Sequence, residues 1–221
     1  MNKKVMRAMY GPSLLEVVLG AILSLAVGVV LAALYLILKP VKAVNELPPP
    51  DKQVQDMVYY VQGAKSYGQN QVLRKRQLFV EGSSIELTED ELNAWMGANS
   101  PPPPKKPASD NTVSLTAELN FRIRDGMMQI GLPCTLNMLG MTESVIIQMK
   151  GGFRKEGDTF VYEPSELYIG SLPAQRLPVL PVLLLKKIYA AEQLPDDLVA
   201  AWKKLENVTI EGNTLKLTMP K

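Results

Sequence analysis

VSLTAELNFRIRDGMMQIGLPCTLNM, residues 113–138, decides the fold class. Val113, Leu115, Ala117, Leu119, Phe121 and Ile123 alternate with Ser114, Thr116, Glu118, Asn120, Arg122 and Arg124. A period of two marks a strand with one buried and one wet face. Asp125-Gly126 then reads as a hairpin turn. On the return, Met128, Ile130, Leu132, Cys134, Leu136 and Met138 share a face, while Pro133 faces away and signals an edge or a bulge.

Toward the C-terminus the strands continue over 142–155 and 159–169, turned by Glu156-Gly157-Asp158 and interrupted at Pro164, so the region is an antiparallel meander. Residues 172–191 are the most apolar part of the domain. Pro178 and Pro181 can start a helix but not sit inside one, which places a helix start near Pro181 and leaves it too short to span a bilayer. Val182-Leu183-Leu184-Leu185 points all round the helix axis. Two readings stand: the segment is core between sheet and helices, or Leu180, Leu183, Leu184 and Ile188 form an apolar groove. A second helix from Pro195 to Leu205 and a hairpin at Gly212-Asn213, with strands 208–210 and 215–219, complete the expected single antiparallel sheet.

Toward the N-terminus, Leu87-Thr88-Glu89-Asp90-Glu91-Leu92-Asn93-Ala94-Trp95-Met96-Gly97 carries a helix start. Thr88 is the N-cap, Glu91 closes a capping box, Leu87 staples onto Leu92, and Gly97 offers a left-handed stop. Capping and the helix dipole account for Glu89, Asp90 and Glu91 without a metal or an acid/base pair. Between this helix and the strands, the proline-rich residues 100–109 form a projecting loop. Upstream, Val54, Met57, Val58, Val61 and Ala64 fall on one face of an expected helix capped by Asp51, running toward Leu73 against Gly63 and Gly68. Arg74-Lys75-Arg76 reads either as a contact for anionic headgroups or as a solvated face. The fold class is therefore α+β.

Ahead of all this lies residues 14–38, whose last twenty-two residues hold no charge and no proline. Such a run crosses a hydrocarbon core of about 30 Å and exceeds a signal peptide's apolar stretch. We read an uncleaved transmembrane helix, with 1–13 as a cytoplasmic tail, 39–50 as a proline-rich polyproline spacer and 51–221 as an extracytoplasmic domain. Lys3, Lys4 and Arg7 precede the span and Lys39 and Lys42 follow it, so the positive-inside rule places the N-terminus inside. Gly20, Ser24, Gly28 and Ala32 recur every four residues, a small-residue stripe that reads either as a packing surface for a homodimer through the span or as the small-residue content common to such helices.

Composition excludes several classes. From Asp51 onward there are 19 Lys+Arg and 20 Asp+Glu, so the domain lacks the concentrated positive surface that nucleic acid requires. With no histidine and one cysteine, His-based triads, imidazole metal sites, thiolate zinc clusters and an intramolecular disulfide are all ruled out. Cys134 falls on an apolar strand face as an inert thiol. No catalytic residue, metal site or cofactor is expected. Carboxylates can work without histidine, yet none here stands in an apolar context that would raise its pKa.

The order of elements, with Leu87-Thr88 to Leu92-Asn93, Asn120-Phe121-Arg122-Ile123 before Asp125-Gly126, Gly152-Phe153, Ile169-Gly170-Ser171-Leu172-Pro173 and the closing hairpin, resembles the YpmS-like family of single-span bacterial membrane proteins of unassigned role. It is more loosely similar to tubular lipid-binding domains. The resemblance implies a curved sheet wrapping a helix and an apolar groove able to hold an acyl chain, and it brings no catalytic residues. The expected function is a membrane-anchored cell-envelope module for binding or scaffolding, its partners being the bilayer and either lipid acyl chains or an envelope protein. A different resemblance competes: Gly11-Pro12-Ser13-Leu14-Leu15-Glu16 is similar to a type IV pilin leader cut after glycine, with a glutamate five residues beyond. Pro12 opposes that reading, since proline after the cut makes a poor substrate.

Overall fold

A computed structural model describes residues 11–64, 69–99, 112–115, 119–138, 141–176 and 195–220. Two compact units make up the chain, Met1–Ile37 and Leu38–Lys221. Among the described residues the first holds nearly all of helix α1, Leu14–Leu38, 25 residues with none buried. At 1.5 Å per residue it is about 37 Å long, and it is long and apolar enough to cross a membrane. Ser13 and Glu16 open it as a capping box, the Ser13 amide donating to Glu16 Oε2 at 3.1 Å and the Glu16 amide to Ser13 Oγ at 3.3 Å.

In the second unit the first elements differ from expectation. Strand β1, Lys42–Val44, lies within the stretch read as a spacer and pairs in parallel with β2, Tyr59–Val61. The helix expected from Asp51 is replaced by a 3-10 turn at Pro50–Lys52 and by β2. Asp56 adopts φ +61°, which no helix interior accommodates, and Val58-Tyr59-Tyr60-Val61 is as good a β run as a helical one. Helix α2, Gln69–Val80, carries the helical part. Strand β3, Ile85–Thr88, and helix α3, Glu89–Asn99, follow, so Thr88 stands at the helix start as its sequence motif requires.

Next come β4 (Thr112–Leu115), β5 (Asn120–Arg124), β6 (Met127–Met138), β7 (Met141–Glu156), β8 (Thr159–Ile169) and β9 (Leu172–Pro173). They build a curved antiparallel sheet in the order β4-β6-β7-β8-β9, with β5 also on β6. Asp125 and Gly126 both take positive φ, +54° and +70°, the geometry of a type I′ hairpin. β6 is an interior strand, and it tolerates Pro133 because its described pairs with β5 end at Gly131 and those with β4 begin at Cys134. At Pro164 the ladder continues through a bulge: Lys150 faces Glu166 while Gly151 faces Pro164, leaving Ser165 as the extra residue, its Oγ donating to the Lys150 carbonyl.

Helix α4, Asp196–Trp202, and the hairpin of β10, Asn207–Glu211, and β11, Thr214–Thr218, close the chain. This hairpin does not join the large sheet. Leu215 pairs with Leu87 and Leu217 with Ile85, giving a second, three-stranded sheet in the order β10-β11-β3, which corrects the expectation of a single sheet. A strand of four residues cannot announce a partner so distant in sequence; shared burial selects it.

One core joins these parts. Val72 and Phe79 of α2, Leu92 and Trp95 of α3, Leu198 of α4, Ile123, Ile130, Leu132, Ile147, Met149 and Leu167 of the large sheet, and Leu87, Leu215 and Leu217 of the small one belong to a single buried cluster. Phe79 and Trp95 meet edge to face at 5.9 Å. Each such side chain stabilises the fold by about 1.5–3 kcal/mol through area removed from water. The expected helix from Pro181 lies outside the described residues.

Candidate functional site

Strand β5 has one edge on β6; its other edge would leave the polar groups of Phe121 and Ile123 unpaired. Helix α3 supplies the missing partner. Residues four apart on a helix are spaced about 6 Å along its axis, and alternate residues of a strand about 6.8 Å. Two side chains at i and i+4 therefore meet successive outward amides of a strand. Asn93 Oδ1 accepts from the Phe121 amide at 2.6 Å, and Glu89 Oε2 accepts from the Ile123 amide at 3.0 Å. The helix stands in for a strand.

The same side chains reach across to the segment after β2. Asn93 Nδ2 donates to the carbonyls of Phe121 at 2.7 Å and Ala64 at 2.8 Å, and Glu89 Oε1 accepts from the Ala64 amide at 2.7 Å. Asn120 completes the clamp from the strand side: its Oδ1 accepts from the Gly63 amide at 2.7 Å and from the Tyr60 hydroxyl at 3.0 Å, and its Nδ2 donates to the Gly63 carbonyl at 3.3 Å. Gly63 has to be glycine, because a Cβ there would collide with the Phe121 carbonyl and the Asn93 amide. Gly131 of β6 is bare for a matching reason, since the Tyr60 ring occupies the space of its Cβ. Burial pushes the Tyr60 phenol up to about 12, so it keeps the proton it donates to Asn120.

Glu91 belongs to a different part of the surface. Its Oε2 accepts from the Thr88 amide at 3.0 Å, closing the capping box, and from Lys75 Nζ at 2.6 Å. Burial pushes the Glu91 carboxyl up, but hydrogen bonds from Lys75 and Thr88 and the Lys75 charge outweigh it and hold the group below the usual carboxylate range. Thr88 Oγ1 bonds Asp90. Glu89 is thus not a cap: among the three clustered acids it alone is turned inward to the strand edge. Arg124 Nη1 lies 3.6 Å from its Oε2.

Chemically, the cluster binds main chain. Both oxygens of Glu89 and all polar atoms of the Asn93 side chain are committed to backbone groups. Among the described residues no group of three or more His, Cys, Asp or Glu could hold a metal ion. Cys134 is buried and free, its thiol pushed up to about 11 by that burial.

Of the residues singled out in the sequence, Gly20, Ser24, Gly28 and Ala32 all stand exposed on α1, and a Cβ at Gly20 or Gly28 would meet nothing within 4 Å. Leu180, Leu183, Leu184 and Ile188 lie outside the described residues. Arg74-Lys75-Arg76 is not a free basic patch: Lys75 bonds Glu91 and the Glu86 carbonyl, and Arg76 pairs with Asp197 of α4 at 3.2 Å. Sequence reasoning missed Glu89, Asn93 and Asn120 as one unit. The available signal was two polar residues at i and i+4 on a helix otherwise burying Leu92 and Trp95. No family model, curated protein or solved structure matches the chain.

Proposed function

We propose that the chain is a single-span membrane protein whose C-terminal unit acts outside the cytoplasm as a non-catalytic binding or scaffolding module. The observation that carries this reading is α1: 25 residues, long and apolar enough to cross a bilayer, with none of them buried. An apolar surface of that extent is stable in lipid and a liability in water. The charge asymmetry around it supports a cytoplasmic N-terminus. Protease protection in spheroplasts, with a tag after Lys221, tests the side: digestion of the tagged unit from outside is expected, and full protection overturns the orientation.

The ligand class in this reading is an acyl chain held by the apolar residues Leu180, Leu183, Leu184 and Ile188, in line with the resemblance to the YpmS-like family and to tubular lipid-binding domains. A fragment starting at Lys39 keeps β1 and omits the span. Native mass spectrometry of that fragment is expected to find co-purified lipid, which Leu184→Asn diminishes. A stable fragment free of lipid leaves an envelope protein as the partner. The pilin-like alternative draws on Glu16, which already has a role in its bonds with Ser13. Protein from membranes that begins at Pro12 would restore that alternative.

A further inference from the structure

The chain immediately after α1 is held very differently from the segment it pairs with. Strand β1 is mostly exposed and its pairing with β2 is parallel and three residues long. At its ends the Lys42 amide donates to the Val58 carbonyl at 3.1 Å and the Gln62 amide to the Val44 carbonyl at 3.0 Å. Ahead of it, Lys39 is held through Nζ to the Asp56 carbonyl and by the Ser171 hydroxyl donating to its carbonyl at 3.3 Å. None of these contacts buries a large apolar side chain of β1. Its partner is fixed from the other side: Tyr60 is 1% and Val61 5% exposed, and Tyr60, Gly63 and Ala64 are pinned by Asn120, Glu89 and Asn93. β1 therefore lies as a lightly held strand on a rigid edge.

The geometry points to β1 as a detachable strap that sets the length of chain between α1 and the domain. Docked, the strap fixes the chain from Lys39 onward. Peeled away, it leaves β2 clamped and the core intact, and the first fixed residue becomes Val54, whose amide donates to the Tyr59 hydroxyl at 2.9 Å. About 15 residues, 39–53, are then free, a reach of roughly 50 Å when extended. Parallel pairing, a short ladder and the exposure of Lys42 and Ala43 place this opening at the low end of local stabilities. The change in reach rests on the membrane-anchored reading; the detachment itself does not.

Neighbouring amides report the strap directly. Among the described residues the Gln62 amide is bonded to the Val44 carbonyl of β1, whereas those of Gly63 and Ala64 are bonded to Asn120 and Glu89. In amide exchange followed by NMR on the full chain in detergent, Gln62 is expected to exchange roughly tenfold or more faster than Ala64. Lys42→Pro, which removes a strap donor, is expected to raise the Gln62 rate further while leaving Gly63 and Ala64 slow. Ser171→Ala should act in the same direction more weakly. Equal rates for Gln62, Gly63 and Ala64 in the parent protein overturn the proposal, a comparison that needs no variant. So does a Lys42→Pro protein in which all three accelerate together, because the strap is then an integral part of the domain. Either result leaves the membrane reading untouched.

Discussion

Asn93 holds both main-chain polar atoms of Phe121, accepting from its amide at 2.6 Å and donating to its carbonyl at 2.7 Å. A side chain thus makes the two bonds that a neighbouring strand would make, and strand β5 ends without an open edge. The amide group is suited to this because it carries a donor and an acceptor side by side. Glu89 repeats the acceptor half one turn earlier on the helix.

Removing that group should be costly. Asn93→Ala leaves the buried Phe121 amide and carbonyl without partners, each orphan costing about 1–3 kcal/mol, while the Ala64 carbonyl, on an exposed residue, turns to water. A loss of roughly 2–4 kcal/mol in urea unfolding is expected. Asn93→Asp keeps the acceptor and should also destabilise, since its second oxygen faces two carbonyls. A cost below ~1 kcal/mol for Asn93→Ala would show that water replaces the clamp.

Glu91 should shape the acid limb of stability. Its folded pKa lies below the unfolded one of about 4.3, so its contribution is complete above that pH and is lost as pH falls through the folded value. Glu91→Gln should therefore lower stability near neutral pH and give a shallower fall below about pH 4.3. Lys75→Met should flatten the same limb in part, because the Thr88 bond remains. Acid unfolding curves parallel to the parent's for both variants would count against this account.

Cys134 should resist labelling. With its thiol buried and pushed up to about 11, almost no thiolate is present at pH 8. Ellman's reagent is expected to react fully in denaturant and barely in the native protein. Fast native labelling would mean that β6 opens far more easily than a core strand should.

Helix α1 makes its own prediction. Gly20, Ser24, Gly28 and Ala32 present an exposed small-residue stripe, and Gly20→Leu with Gly28→Leu would separate two helices packed along it. Crosslinking yield in membranes should fall markedly. An unchanged yield would show that the helix does not pair through this side.

Local pattern carried the strands well. Alternation along β5 and the first part of β6 forecast which side chains are buried, from Phe121 and Ile123 to Leu132 and Cys134, because burial of one sheet face imposes a period of two; past Cys134 it fails, with Leu136 half-buried and Asn137 buried. Asp125-Gly126 announced its hairpin for a similar reason: the turn is a property of two residues. The region 51–64 was illegible because Val54, Met57, Val58 and Val61 satisfy a helical spacing while Tyr59-Tyr60-Val61 satisfies a strand, and only the pairing with β1 separates them. The clamp was illegible in the same way. Glu89 and Asn93 look like ordinary residues of a capped helix until Phe121 and Ile123 arrive opposite them.

The apolar helix, the α+β class, the meander and the absence of histidine or paired cysteine chemistry are all legible in the chain, since each follows from composition or from contacts within a few residues. Partnership between distant segments came with folding alone: β3 with β11, β1 with β2, and Glu89, Asn93 and Asn120 with Ala64, Gly63, Phe121 and Ile123. A hydrogen-bonding group says nothing about its partner until the chain has folded. The choice is made by which backbone groups would otherwise be buried unpaired.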